Sequence, residues 1–497
     1  IFIFALLFIS GCSDRRSELK ITDTILDDSS SYFYTDFEIY KNKDKRLPIG
    51  VFDSGTGGLT VLDAIVNFDK YNNSDRTFTE IGDSNKDFSK EYFIYLADQA
   101  NMPYGNYAAA NQTDLLREHI FKDMQFLMSD KYYRDVEDVD YQTDKSPIKA
   151  MVIACNTATA FGKQDIQAFL TTAGIDIKVI GVIGAGVRAA LKSMSNDQDE
   201  CAAVMATAGT VASEGYIKEF NHQLNLHNRS NDISIYQQAG VGLAGAIDGS
   251  TEFIDPSASQ PRDTYKGPSD YNKHLKIDTK ILERYNFDWS GNKMLYEGSV
   301  TDPKKIQINS VDNYIAYHVT SLAEKIISKN DSSKLSTVVL GCTHYPFYTE
   351  LFRQKFADLR VYKENDKYIY KNIIADKIEF IDPAINTAQE LYEFLKAENL
   401  FNDMNIKESE FYISMPNINN PDVIVDANGN LPYEYKYGRK VDHIQEYVKR
   451  TPFNRNNISD PVLSRLKEKI PFTYELIREF NASSKKTEFL SETARIR

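Results

Sequence analysis

A chain of 497 residues should hold more than one domain, because single cores usually stop growing at about 250 to 300 residues. Its 42% hydrophobic and 26% charged residues are ordinary globular composition, so a core can be buried. The net charge of -13 argues against nucleic acid or an anionic membrane surface as the main partner, and any acidic ligand would have to be held locally by N–H groups and hydroxyls.

The apolar start, residues 1–10, is shorter than the ~20 residues a membrane-spanning helix needs and fits the apolar core of a signal peptide. Ile9-Ser10-Gly11-Cys12 resembles a bacterial lipoprotein processing box, which implies that Cys12 is lipidated and becomes the mature N-terminus. Residues 1–11 are then the signal peptide and 12–45 a polar tether that packs poorly. The implied location is the cell envelope, periplasmic or outer-membrane associated and held by a lipid anchor; without that signal it is the cytoplasm. The other cysteines, Cys155, Cys201 and Cys342, are odd in number, unlike a disulfide scaffold, which suggests thiols kept for chemistry.

Residues 47–52 form a short apolar strand running into Asp53-Ser54-Gly55-Thr56-Gly57-Gly58, followed by Leu59, Leu62, Ile65 and Val66 at helical spacing. Such a turn presents N–H groups to an anion, but the Gly-Lys-Ser/Thr of a phosphate loop is missing. After a polar insertion at 72–90, a strand at 92–96 ends at Asp98, and Pro103-Tyr104-Gly105 makes a rigid turn. Thr113–Met128 has the pattern of an amphipathic helix, on which His119 is a surface or packing residue. A strand at 150–154 leads into Cys155-Asn156-Thr157, a helix follows, and 178–183 is the next strand. Strands alternating with helices indicate a parallel, doubly wound sheet.

The second half repeats the plan. A strand at 202–206 meets Thr207-Ala208-Gly209-Thr210, a Gly-rich segment follows at 241–248, and a polar insertion at about 250–300 carries Trp289. A helix at 310–329 precedes Val338-Val339-Leu340-Gly341-Cys342-Thr343-His344-Tyr345-Pro346. The fold class read from this is α/β: two similar doubly wound parallel-sheet domains with the active site between them, plus insertions and a C-terminal extension. The first domain takes 46–182 with a return segment at 376–396, the second 183–375. The tail, 397–497, has a helical stretch at 463–480 and no assigned role.

Cys155 and Cys342 each close a short apolar run at a strand-to-loop corner, where open α/β sheets keep their sites. A lone cysteine at such a position is more often a small buried hydrophobe, and Cys201, with no polar follower, is read that way. Two matched corners suggest two faces of one pocket. A thiol of ordinary pKa ~8.5 can be shifted toward neutrality by its surroundings and so exchange protons. No lysine adjoins either cysteine, so strand-end N–H groups, Asn156, Thr157 and His344 would supply the local support.

The set Asp53-Ser54-Gly55-Thr56-Gly57-Gly58, Tyr95 with Asp98 and Pro103-Tyr104-Gly105, Cys155-Asn156-Thr157, and Gly341-Cys342-Thr343-His344-Tyr345-Pro346 resembles the cofactor-independent aspartate/glutamate racemase family, and the Cys-Thr-His form is similar to glutamate racemase. The resemblance runs from about residue 48 to 395. It implies an isomerase that moves the α-proton of a small acidic amino acid between two cysteines, Cys155 and Cys342, with Asp53 and His344 assisting. It implies substrate contacts at Ser54, Pro103, Tyr104, Gly105, Asn156, Thr157, Thr210 and Thr343, no cofactor and no metal, and it leaves a homodimer open. Family members supply D-glutamate to peptidoglycan, the cell-wall polymer. Two positions depart: Gly184-Ala185 stands where the family carries Glu-Pro, and only Asp248 or Glu252 could replace the family's acidic residue before the second cysteine. Alternatives are a racemase of aspartate or another acidic amino acid, a cysteine hydrolase or transferase, and a lipid-anchored amino-acid-binding protein without catalysis.

If the Cys12 reading holds, Cys12→Ser should release the protein from membranes or leave the leader uncleaved. Membrane fractionation and the mass of the mature protein check it.

Overall fold

Four short apolar runs, β1 (Ile49–Asp53), β2 (Phe93–Ala97), β3 (Ala150–Ile153) and β4 (Lys178–Gly181), form a parallel sheet in the order β2-β1-β3-β4. Alternate residues enter two separate cores: Ile49, Val51, Phe93, Tyr95 and Val152 on one face, Phe52, Ile94, Leu96, Met151 and Ile153 on the other. A sheet covered on both faces needs continuous apolar strands, which is why these runs show no polar alternation. In this computed structural model, residues 19–195, 200–227, 233–247, 249–272, 276–329 and 333–497 are described; Cys12, the leader and Asp248 lie outside them.

The second sheet has β5 (Glu200–Ala206), β6 (Ser234–Ala239), β7 (Lys334–Gly341) and β8 (Ile374–Ile381), all parallel, in the order β6-β5-β7-β8. The two orders are the same. β1 corresponds to β5, each ending in a small-residue turn, and β3 corresponds to β7, each ending in a cysteine. Two doubly wound α/β halves therefore share one plan, with the cysteines at equivalent places. Cys201 is fully buried on β5, packed with Ala203, Met205, Val338 and Leu340.

The helix Val182–Ser193 joins the halves: Val182 packs in the first core, Ile183 and Val187 in the second. The strand 374–381, which the sequence pattern splits between the domains, stays wholly with the second sheet. The return is made by the helix Pro383–Ala397, whose Ala388, Leu391, Tyr392 and Leu395 enter the first core. In the insertion, Met294–Ser299 and Asp302–Ile308 form an antiparallel hairpin, and Trp289 sits edge-on to Tyr296.

Two expectations change. The segment 12–45 is not a loose tether where it is described: the helix Lys20–Asp27 buries Ile21 and Ile25, and Tyr32 and Phe33 join the same core as Ile120 and Met124. Short polar stretches hid these few anchors. The C-terminal extension, left without a role by the sequence, becomes part of the first sheet. Its β9 (Glu410–Pro416) pairs parallel with β2, and β10 (Val448–Pro452) pairs antiparallel with β9, so the first sheet has six strands. The edge of β2, which would otherwise offer unpaired N–H and C=O groups, is thereby closed. The helical stretch 463–480 is two helices, Asp460–Lys469 and Pro471–Ser483, because Pro471 cannot continue the first. No helix among the described residues is long and apolar enough to cross a membrane.

Phe453, fully buried just after β10, meets Tyr95 and Phe411 edge-on or tilted at 6.1 and 6.0 Å between ring centres. Phe453→Ala should therefore destabilise the whole first domain by about 3–5 kcal/mol, read as a lowered midpoint in urea denaturation. A tail folded independently of the sheet would leave that midpoint in place.

Candidate active site

Parallel strands of one plan deliver their C-terminal ends to one level, and here both sets of ends face a single cleft of about 1210 Å³. Asp53, Ser54, Pro103, Tyr104, Gly105, Cys155, Asn156, Thr157, Thr210, Cys342, Thr343 and His344 all border it. The structure thus brings together every site residue expected from the sequence other than the lipidation cysteine. Glu252 is not among them; it is exposed and paired with Lys266 at 2.5 Å.

The first corner is held from below. Asp53, at the end of β1, accepts a hydrogen bond from the Gly58 N–H at 2.7 Å, and the Tyr95 hydroxyl donates to the Gly55 carbonyl at 2.6 Å. Glycine is required here by close approach: a Cβ on Gly58 would lie 2.4 Å from Asp53 Cβ. A Cβ on Gly57 would lie 3.5 Å from Asp53 Oδ2, 3.6 Å from Thr343 Oγ1 and 3.9 Å from His344 Cε1, so at this turn the first half touches the second. The halves also meet at the other lip, where a Cβ on Gly105 would sit 3.3 Å from Gly209 Cα.

Cys155 caps the N-terminus of the helix Asn156–Thr172, its sulfur accepting the Ala158 N–H at 3.4 Å while its thiol donates to Ser54 Oγ at 3.7 Å. A helix N-terminus favours thiolate. Burial and the neighbouring Asp53 charge act the other way and win: the thiol, 7% exposed, is pushed up to about 12. This is the reverse of the expected shift toward neutrality. Burial also raises Asp53, against the hydrogen bond from the Gly58 N–H. The resting corner is therefore a protonated thiol beside a carboxylate with raised proton affinity.

The second corner has a different partner. Cys342, 6% exposed at the end of β7, has its sulfur 3.7 Å from His344 Nδ1, and the Tyr345 N–H donates to its carbonyl at 3.1 Å. Asn156 is fixed from across the cleft, its Oδ1 accepting the Tyr216 hydroxyl at 3.0 Å. Thr207 caps the short helix Ala208–Ala212, its Oγ1 accepting the Thr210 N–H at 3.3 Å. Gly184, where an acid was looked for, lies in the buried turn of Val182–Ser193, and a Cβ there would meet Arg188 and Glu219. Behind Cys342 and Thr343, Asp382 borders a second cavity of about 450 Å³, where burial raises its carboxyl and it accepts the Ala384 N–H at 2.8 Å.

Sequence reasoning missed the tail's part in the site. Asn457, Ile458, Ser459, Val462 and Arg465 line the cleft. The tail also grips the Pro103–Gly105 turn: the Lys436 ammonium donates to the Met102 carbonyl at 2.6 Å and the Tyr437 hydroxyl to the Pro103 carbonyl at 3.1 Å. Below the turn, Tyr104 Oη lies 2.6 Å from both Asp98 Oδ2 and Asp123 Oδ2, and Arg450 donates to Asp123 Oδ1 at 3.2 Å. No local motif marks these residues, since each acts on a segment more than 300 positions away. His119 is a packing residue: Arg439 lies 3.3 Å from its Nε2, and burial with that charge lowers its pKa well below the usual range. Among the described residues, no three His, Cys, Asp or Glu side chains gather as a metal's ligands would.

No family model matches the chain. It is 24% identical to the glutamate racemase of Lactobacillus johnsonii over 354 residues, 71% of this chain and 83% of that one. It is 22% identical to glutamate racemase 1 of Caldanaerobacter subterraneus subsp. tengcongensis over 372 residues, 75% and 88% of the two chains. A shorter match, 168 residues at 34% identity, covers 34% of this chain and 44% of the glutamate racemase of Oceanobacillus iheyensis. The solved glutamate racemase of Francisella tularensis in complex with D-glutamate covers 81% of this chain and 97% of its own at 20% identity, with a TM-score of 0.40.

Asp53→Asn removes the charge that holds the Cys155 proton, so the thiol pKa should fall. At a fixed alkaline pH, iodoacetamide should then alkylate Cys155 faster than in the parent protein, as followed by mass spectrometry of the Cys155 peptide.

Proposed function

Because the chain belongs to the aspartate/glutamate racemase family, we propose that it is an amino-acid racemase that interconverts L- and D-glutamate by proton transfer between Cys155 and Cys342. The observation that carries this reading is the placement of the two cysteines at the ends of equivalent strands, β3 and β7, on the same cleft. An α-proton taken from one face of a planar carbanion and returned on the other inverts the centre, so two acid/base groups on opposite walls suffice.

Cys155 takes the proton from the D-isomer and Cys342 from the L-isomer. In the resting corner Cys155 already carries its proton, so it can act at once as the acid that completes L-to-D conversion. To act as base it must first pass that proton to Asp53, whose raised proton affinity suits the exchange. His344 serves Cys342 in the same way. Ser54, the Pro103–Gly105 turn, Asn156, Thr157, Thr210 and Thr343 supply hydroxyls, amides and backbone N–H groups for the substrate's carboxylates and ammonium. Neither thiol needs a cofactor for this exchange. The Cys12 reading would place the activity at a membrane surface in the cell envelope, acting on released amino acids there.

The test is incubation of the purified protein with each enantiomer of glutamate and aspartate in deuterium oxide, with deuterium at the α-position and optical rotation as readouts. Binding without exchange would return the binding-protein reading. Cys155→Ala or Cys342→Ala should each lower racemisation in both directions by ~10²- to 10⁴-fold, with Cys201→Ala nearly unchanged. With analogues that eliminate a β- or γ-group after α-proton loss, only one base is needed. Each mutant should then process one enantiomer and lose the other; equal loss of both would sink the two-base mechanism.

A further inference from the structure

The cleft has one wall that the two halves do not build. Asn457 to Ser459 and one side of the helix Asp460–Lys469 close it, and Val462 and Arg465, three residues apart and so on one helix face, border the cavity. The helix is rigidly seated. Leu463 and Leu466 are 6% and 4% exposed in the first core, and the following helix is pinned where Thr473 Oγ1 donates to Asp63 Oδ1 at 2.8 Å. Arg465 also borders a small groove with Thr56, Gly57 and His344, which places it beside the point where the halves touch.

Charge gives this position its meaning. Among the described residues lining the cleft, Asp53 is the one carboxylate and Arg465 the one permanent cation. The chain as a whole carries -13, a field that opposes an anionic substrate. An acidic amino acid brings two carboxylates and one ammonium, so its side-chain carboxylate has no formal counter-charge among the neutral contact residues. We infer that Arg465, carried into the cleft by the C-terminal segment, is a specificity-determining residue that pairs with the side-chain carboxylate of the substrate. Arg465 has a partner within the chain as well. A guanidinium has five N–H donors, so such a contact and a two-bond pair with a carboxylate are compatible. This inference rests on the racemase reading and adds what selects the substrate class.

The test compares α-proton exchange of glutamate with that of glutamine, whose side-chain amide has the same shape without the charge. The ratio of the two kcat/KM values is the readout, because both substrates see the same amount of folded enzyme. Arg465→Gln should lower the glutamate-to-glutamine ratio by about 10- to 100-fold, mainly through KM for glutamate, and Arg465→Lys should fall between it and the parent. If neither variant changes the ratio, Arg465 does not read the side-chain charge and the inference is overturned. If the parent protein exchanges the α-proton of no amino acid, the racemase reading itself fails, a result distinct from an active enzyme with an unchanged ratio.

Discussion

A full positive charge lies where water cannot reach it, and much of the molecule is arranged around that fact. The Arg450 side chain is 1% exposed and its partner Asp123 is fully buried. Leaving either alone would cost several kcal/mol, so the two must stay together and the segments that carry them must fold together. One hydroxyl proton on Tyr104 cannot serve both carboxylates that flank it. Burial and the charge of Asp98 push the Asp123 carboxyl up, while Arg450 and the Tyr104 hydroxyl act the other way.

This pairing makes the tail part of the site rather than an addition to a finished fold. Arg450 stands on β10, Asp123 on the helix Thr113–Met128, and Tyr104 in the turn that borders the cleft. The same turn is held from above by Lys436 and Tyr437, and Arg439 donates to Asn101 Oδ1 at 2.6 Å just before it. A loop with polar contacts on both sides loses few conformations when a ligand arrives, which is how preorganisation contributes to affinity. The helix Asp460–Lys469 then follows from β10 within a few residues, so the segment that stiffens the turn also supplies the far wall.

The plan of the two halves was legible because it is written in local patterns. Apolar runs ending in Asp53, Cys155 and Cys342 are strand ends in any context, and Thr113–Met128 was read to the residue because its 3.6-residue periodicity is long and uninterrupted. The twelve expected cleft residues lie at such ends or turns, or in the first turn of the helix that follows. What stayed hidden depends on distant partners. β9 reads as a strand only because β2 offers it an edge, and Ile21 and Phe33 become core only because the helix Thr113–Met128 has an apolar face for them. The direction of the Cys155 shift was hidden too. Spacing shows which groups are near a thiol, whereas burial decides which of their effects prevails.

The two corners are built alike and chemically opposed, and that asymmetry follows from one residue in each. Strand order, cysteine placement and the turn across from it are shared, yet Cys155 faces the carboxylate of Asp53 and Cys342 the imidazole of His344. A carboxylate, when charged, holds a proton on the neighbouring thiol; an imidazole, when charged, draws it off. A duplicated fold therefore gives two like corners, and one neighbour in each makes them unlike. The two sets of neighbours meet at Gly57, where a Cβ would be in ordinary contact with Asp53 Oδ2, Thr343 Oγ1 and His344 Cε1.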